Sequence, residues 1–502
     1  MTTLVIMACA LWTHSSHAEN PALSAAVIDG VTAYSPAALF PVYREQLGQP
    51  ISSESARNII AEIEAMYMRD GYSRPEFRLQ NDLIGSGVLQ IEVFEARLSG
   101  IEVEGNAGPY VRTIEQLVDE LRSRVPLRSD QLQRALQRMR ELPGLEFRAS
   151  MRRDKERPNT FALVIDAQYK PLEATVQLTN RGTRQIGPEF ALAQLTANNL
   201  LGRNERLGLF ASSATDYEEY HGGGLFMDLP IGEQGTHLTG STFASRSNPH
   251  EQPDRPDVYD RDRTSMRVNH PLSSTQRRTL TVSGGFDVDN LEITREGEWL
   301  RDEQLRVLEI GGRSSTRSSA TTQRLLSMQF RQGLDAFGSH LEARNPQTDQ
   351  RRLDFLLMRM QYTQLTRFAD QWTVRVDALG QQSAYVLPDT ERYKIGGERL
   401  GRGFEVTEIA GDQGIGAKLE LRRDLTGPSA AIGKTSLYGF YDFGAAWKQD
   451  QSGRESAATT GLGFALEWGR VAGYLEVAKP LTHTDVEGER ETKVFAEVSL
   501  RL

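Results

Sequence analysis

The stretch Val494-Phe495-Ala496-Glu497-Val498-Ser499-Leu500-Arg501-Leu502 alternates strictly. In an extended chain Val494, Ala496, Val498, Leu500 and Leu502 point one way, and Glu497, Ser499 and Arg501 the other. The same period runs through residues 170–502, for example in Ala174–Thr179 and Thr279–Ser283, with Gly, Asn, Asp and Pro between the segments. Strands with one apolar face must hide it. In water that face packs on a second sheet; in a membrane it meets lipid while the polar face lines a lumen. Membrane strands of about 9–11 residues, joined by alternating short and long connections, use about 20 residues each, so the region holds roughly 16 of them. The expected fold is membrane all-β, a 16-stranded transmembrane barrel. A soluble sandwich or propeller is the alternative, and no blade-length repeat supports the propeller. The polar stretch Ser245–Arg263 reads as an external loop of the barrel.

Composition agrees with this and removes other classes. No apolar run of about 20 residues exists beyond the N-terminus, which excludes a helical membrane protein. A net charge of −9 argues against a general nucleic-acid binder, which needs a basic face. At the N-terminus an apolar run, Leu4–Trp12, is followed by Ser16-His17-Ala18, the small-x-small pattern of a secretory signal peptide cut after Ala18. The only cysteine, Cys9, lies inside that segment, so the mature chain is expected to carry no thiol and to be exported without disulfides.

Between the signal and the alternating region the period is helical, and it occurs twice. The first unit, within 19–96, opens with a strand at Ala26–Val31. Ser35 caps a helix with Pro36 at its first position, and a second helix starts near Ser53 with Ala56, Ile59, Ile60, Ile63 and Tyr67 on one face. Gly71 ends it, and strands follow at Glu76–Leu79 and Val88–Phe94. The second unit, within 97–169, repeats the order. A strand at Ser99–Glu104 is followed by a capping box, Thr113-Ile114-Glu115-Gln116, and a second helix capped by Ser129. Pro143-Gly144 stops that helix, and strands follow at Leu145–Met151 and Phe161–Ala167. Each unit is a β-α-α-β-β module, enough for a three-stranded sheet with two helices on one face. The division is 1–18, 19–96, 97–169 and 170–502.

Motifs that carry chemistry are weak. Gly427–Thr435 approaches a phosphate-binding loop, but its spacer is one residue too long and no helix follows, so it reads as a hairpin turn. Asp287-Val288-Asp289-Asn290 lacks the glycine and the late glutamate of a calcium loop. No H-E-x-x-H or G-x-S-x-G motif occurs. We therefore expect no catalytic residue, no metal site, no cofactor and no enzyme.

Several sequence signatures fall in one order. They are Tyr67-Met68-Arg69-Asp70-Gly71-Tyr72, Gly87–Val93, Leu142-Pro143-Gly144, Asn180-Arg181-Gly182-Thr183 with Gly187, Asn198–Gly202, Gly396-Gly397 with Gly401-Arg402-Gly403-Phe404, and Phe440-Tyr441-Asp442-Phe443-Gly444. In this order the chain resembles the two-partner secretion translocators, the family of haemolysin and filamentous-haemagglutinin secretion proteins, over nearly its whole mature length. The resemblance implies two periplasmic POTRA domains before a 16-stranded outer-membrane barrel. It implies export of one large unfolded exoprotein, β-helical once folded, by a monomer embedded in outer-membrane lipid, with no nucleic acid involved. POTRA domains are thought to take the partner by adding its extended segments to a sheet edge. The alternatives are a barrel-assembly or insertase factor of the same superfamily, which usually has more POTRA units, and a passive porin or receptor. Two departures stand out. Gly401 replaces the usual valine before the arginine, which would loosen the loop tip. The first strand also follows closely on the cleavage site, leaving little room for a plug helix, so plugging is expected to rest mainly on the loop.

The resemblance also implies that the Arg-Gly-Phe loop folds back into the barrel. A buried guanidinium must be paired, so the inner wall has to supply carboxylates. In Leu437–Phe443, Asp442 shares a face with Phe440 and Tyr438, and a charge does not face lipid. In Lys418–Arg422 the charged residues share the inner face in the same way. Asp442 is therefore the expected main partner of Arg402 and Glu420 the second. Gly401 and Gly403 are expected to supply positive φ, and Phe404 to pack beside Phe440 or a neighbouring ring.

Overall fold

The computed structural model describes residues 21–80, 82–183, 187–232, 234–248, 257–275, 277–425, 433–482 and 491–502. The signal segment with its cleavage point after Ala18, and residues 427–432 of the phosphate-loop lookalike, lie outside these. The chain divides into two compact units, residues 1–169 and 170–502, at the point where the sequence period changes.

The first unit holds both modules. β1 (Ala25–Asp29), α1 (Pro36–Arg44), α2 (Ser53–Arg69), β2 (Glu76–Gln80) and β3 (Val88–Phe94) form a sheet in the order β1-β3-β2, with β1 parallel to β3. Ile59, Ile63 and Tyr67 on one face of α2 close over Leu89, Ile91 and Val93, because residues three and four apart share a helix face and alternate strand residues share a sheet face. Tyr67 donates its hydroxyl to buried Glu95 at 2.6 Å, and Glu95 also accepts the backbone N–H of Thr32 and Ala33 at 2.7 and 3.0 Å. Burial first, and this hydrogen bond second, push the Tyr67 hydroxyl above its ordinary pKa. β4 (Arg97–Asn106), α3 (Val111–Arg122), α4 (Ser129–Arg140), β5 (Leu145–Arg153) and β6 (Thr160–Tyr169) repeat the arrangement in the order β4-β6-β5.

Two expected caps are corrected. Pro109 starts a short 3₁₀ turn, Gly108–Tyr110, that runs straight into α3, so Thr113 lies inside the helix and no capping box forms. Ser129 is the first residue of α4 and Arg128 holds the cap position; the chain is pinned there by the Ser129 N–H donating to the Gly71 carbonyl at 3.0 Å.

The second unit is a closed antiparallel barrel of sixteen strands, sealed where Lys493–Arg501 pairs with Leu172–Thr179. A short strand, His340–Ala343, pairs with Arg301–Gln304, next to the part of the same neighbour that pairs with Thr322–Gly333, so the two pieces share one barrel position. The sequence alternation appears as an apolar outside and a polar inside. In Lys434–Trp447, Leu437 and Tyr441 are exposed while Tyr438, Phe440 and Asp442 are buried. Many strands exceed the expected length, and three do so most: Asp257–Ser274 and Arg278–Arg295 have 18 residues and Glu298–Arg317 has 20. Most described residues of Ser245–Arg263 are accordingly strand, not loop: Ser245–Ser247 end one strand and Asp257–Arg263 begin the next. Their charges pair across the ladder, as Arg261 does with Asp289 at 2.7 Å, and this lets polar sequence stay extended.

Candidate functional site: the inward loop

The connection between Trp372–Ser383 and Gln413–Leu425 folds back into the barrel. It carries a 3₁₀ turn, Asp389–Glu391, and a two-stranded ribbon in which Tyr393–Ile395 pairs with Ile409–Gly411. Beyond the ribbon the chain knots on itself: the Gly396 N–H donates to the Leu400 carbonyl at 2.8 Å, Gly397 to Phe404 at 3.1 Å, and Phe404 to Gly401 at 2.9 Å. Gly401 has φ +85°, a left-handed conformation that a valine adopts only under strain. The departure from the family residue is thus fitted to a closed turn and does not leave a loose tip. Gly403 corrects the expectation of positive φ. It serves by close approach, since a Cβ there would lie 2.9 Å from Thr459 Cγ2.

This turn presents Arg402, 4% exposed, to the inner wall. Its Nε and Nη2 donate to Asp442 Oδ2 and Oδ1 at 3.0 and 2.9 Å, a bidentate fork, and its backbone N–H adds a third bond to Oδ2 at 3.2 Å. Nη1 donates to Glu420 Oε2 at 3.1 Å and to Glu476 Oε2 at 3.2 Å. The guanidinium carbon stands 3.5 Å from the centre of the Phe440 ring, in cation–π range. The structure thus brings Arg402 together with Asp442, Glu420 and Phe440, the partners expected from sequence. Of the two places expected for Phe404, beside Phe440 or a neighbouring ring, the structure has the second, in a cluster with the ring of Tyr393. Phe404 joins Leu379, Tyr393, Ile395, Leu400 and Ile409, because the Phe440 face is taken by the guanidinium.

Sequence reasoning missed Glu476 and Arg181. Glu476 lies on Val471–Pro480, on the same face as Tyr474, so the rule that selected Asp442 also selects it. Its Oε1 accepts Arg181 Nη2 at 2.6 Å, while Arg181 Nε donates to the Tyr474 hydroxyl at 2.5 Å. Asn180 beside it bonds Val494 and Ala496 of the closing strand through its side chain, at 3.0 and 2.7 Å. Arg422 binds the free oxygen of Glu420 at 3.1 Å. Buried Arg181 and Arg402 are thus each paired with buried carboxylates, which is what makes their burial tolerable. A cavity of ≈ 360 Å³ lies beside them, lined by Arg181, Arg375, Arg402, Glu420 and Glu476 among others. Among the described residues no group of His, Cys, Asp or Glu is placed to hold a metal ion.

With this geometry in view, comparison with known proteins is informative. A family model described as "Haemolysin secretion/activation protein ShlB/FhaC/HecB" matches residues 162–466, and one described as "POTRA domain, ShlB-type" matches residues 22–96. No curated protein matches the chain. Among solved structures, CdiB from Escherichia coli is similar at TM-score 0.74 and 19% identity, covering 98% of this chain and 92% of that one. CdiB from Acinetobacter baumannii gives 0.61 at 15% identity, over 96% of this chain and 90% of that one. BamA from Haemophilus ducreyi, lacking POTRA domains 1–3, gives 0.55 at 14% identity, over 96% of this chain and all of that one. At these identities the structural likenesses speak for the fold.

Proposed function

Because this chain belongs to the haemolysin secretion/activation protein family, two-partner secretion transporters of the outer membrane with periplasmic POTRA domains, we propose that it exports one large unfolded exoprotein through its own barrel, with the Arg402 loop as the element that closes the path. The observation that carries this reading is the seat of Arg402. It is held by hydrogen bonds, ion pairs and a cation–π contact, none of them covalent, on a tip that hangs from a two-stranded ribbon, so it can leave and return without covalent change. The cavity beside it is lined by many charged side chains, which offer an extended polypeptide replaceable polar contacts.

The modules supply reception. β1 and β2 are the edges of the first sheet, β4 and β5 those of the second. Edge strands carry free N–H and C=O groups, so an extended partner segment can extend either sheet. The chain acts as a monomer without catalysis or cofactor, and folding of a β-helical partner outside supplies the drive. The experiment compares wild type with Arg402→Ala in cells that make the exported partner protein. The variant is expected to insert normally and to lower exoprotein in the medium about tenfold or more, as expected for a lost buried pair. Unchanged export would overturn the gating role. If loss of the protein depleted many outer-membrane barrels and not one exported partner, the insertase reading would replace the transporter.

A further inference from the structure

Arg402 is one end of the inward loop's attachment, and the other end has the opposite charge. Glu391, on the turn that opens the loop, is 1% exposed. Arg331 grips its carboxylate in a fork, Nη2 to Oε1 at 2.7 Å and Nε to Oε2 at 3.1 Å. Arg359 Nη2 reaches Oε2 at 2.9 Å and also donates to the Glu391 carbonyl at 2.9 Å, which Gln381 Nε2 shares at 2.9 Å. Arg331, itself 2% exposed, is held from behind by Asp287 at 2.8 Å and Glu309 at 2.5 Å, and Arg267 spans both of these. This explains the Asp287-Val288-Asp289 stretch: its carboxylates face inward to arginines.

The strands that hold the two ends are different. Glu391 is held from Thr322–Gly333 and Leu356–Phe368, backed by Arg278–Arg295 and Glu298–Arg317. Arg402 is held from Gln413–Leu425, Lys434–Trp447 and Val471–Pro480. The loop therefore runs from one sector of the wall to another as a strut, a carboxylate in a nest of guanidiniums at one end and a guanidinium in a nest of carboxylates at the other. Each end is buried, so neither side chain leaves its nest without stranding a partner's charge. We propose that Glu391 is a second positioning residue of the closed state, so that the loop leaves the barrel only when the Glu391 and Arg402 ends both let go. This rests on the reading of the loop as the closing element.

The test separates the two ideas because it does not use secretion. Leu400 at the tip is buried, and its replacement by cysteine in a Cys9→Ser background reports the tip's emergence through labelling by a membrane-impermeant maleimide. In this background Glu391→Gln and Arg402→Ala are each expected to raise the labelling rate about tenfold or less, and the double variant to raise it by about the product of the two, because the two nests share no partner and their free energies add. Long-lived open events in planar bilayers should follow the same order. Glu391→Asp should recover part of the closed behaviour, which a general packing defect would not. Barrel integrity is read by heat-modifiable mobility on gels. If Glu391→Gln does not assemble, Glu391→Asp and Arg359→Lys carry the same comparison with Arg402→Ala. The proposal is overturned if the Glu391 change leaves labelling and conductance unaltered in either background, with Arg402 present or replaced. Failure of export with normal loop release would instead tell against the transport role alone.

Discussion

The two units of this chain solve the burial problem in opposite directions. In residues 21–169 Ile63, Tyr67, Ile114 and Met139 are fully enclosed and the charged side chains mostly lie on the surface. In the barrel, Leu437, Leu419, Leu462 and Val498 are exposed while Asp287, Glu303, Asp442 and Glu476 are buried. The apolar groups follow the same rule in both, leaving water, but for one unit the apolar phase is its own interior and for the other it is the surrounding membrane. The consequence is that the first unit is held together by packing, whereas the interior of the second combines paired charges with small apolar clusters such as Leu305, Val307, Phe355 and Leu387.

This contrast can be broken at its strongest point first. Asp442→Ala strands Arg402 among the remaining carboxylates, and losing one partner of a buried pair costs about 3–5 kcal/mol. It should reduce export at least as much as Arg402→Ala. The exchanged pair Arg402→Asp with Asp442→Arg should recover part of it, and no recovery at all would indicate that the two residues do not act through their contact. Next in size is a paired comparison of apolar truncations. Ile63→Ala should destabilise the periplasmic fragment 19–169 by about 2–5 kcal/mol in urea unfolding, since it leaves a cavity in a packed core. Leu437→Ala, at a position 49% exposed on the barrel's outside, should cost well under half as much in the unfolding of the folded barrel, because it opens no cavity. Equal costs would remove the distinction between the two interiors.

The smallest expected effect lies in a barrel turn. Burial raises the pKa of Glu205, but the backbone N–H groups of Leu201 and Arg203 that bind its carboxylate, at 2.5 and 2.9 Å, outweigh this and hold it below the usual range. A carboxylate with a lowered folded pKa stabilises above its unfolded value of about 4.3 and loses that contribution as pH falls through the folded value. Amide exchange at Leu201 and Arg203, once corrected for its intrinsic pH dependence, should therefore show protection that is constant near pH 6 and falls below about pH 4. In Glu205→Gln it should be flat over the same range; an identical profile in that variant would assign the change to another group.

The sequence made some of this legible for a definite reason. Alternation tells which face a residue takes, so the inward aim of Asp442 and Glu420 could be read from Leu437–Phe443 and Lys418–Arg422 alone, while the inward path of the loop came from the family resemblance. Glu476 was equally readable by that rule. What alternation does not encode is the rotational offset between strands. Glu391 and Arg331 are 60 positions apart, and only the closed ladder brings them together. For the same reason Arg181 stood out as a motif with no visible partner. The local caps at Thr113 and Ser129 failed on other grounds: Pro109 had already started a tighter turn, and a tertiary hydrogen bond to Gly71 fixed the chain where a side chain was expected to do so.

Glu476 has two oxygens, and each is committed. Oε1 goes to Arg181, whose neighbour Asn180 clasps the closing strand, and Oε2 goes to Arg402 at the loop tip. In genetic terms, the seam and the loop are written on one side chain. An inherited change at position 476 alters both at once, and lesions at Arg402 and at Arg181 are expected to be epistatic although 221 residues separate them. Selection on either trait therefore acts on the other, and compensating mutations for a damaged loop should be sought along the barrel's seam.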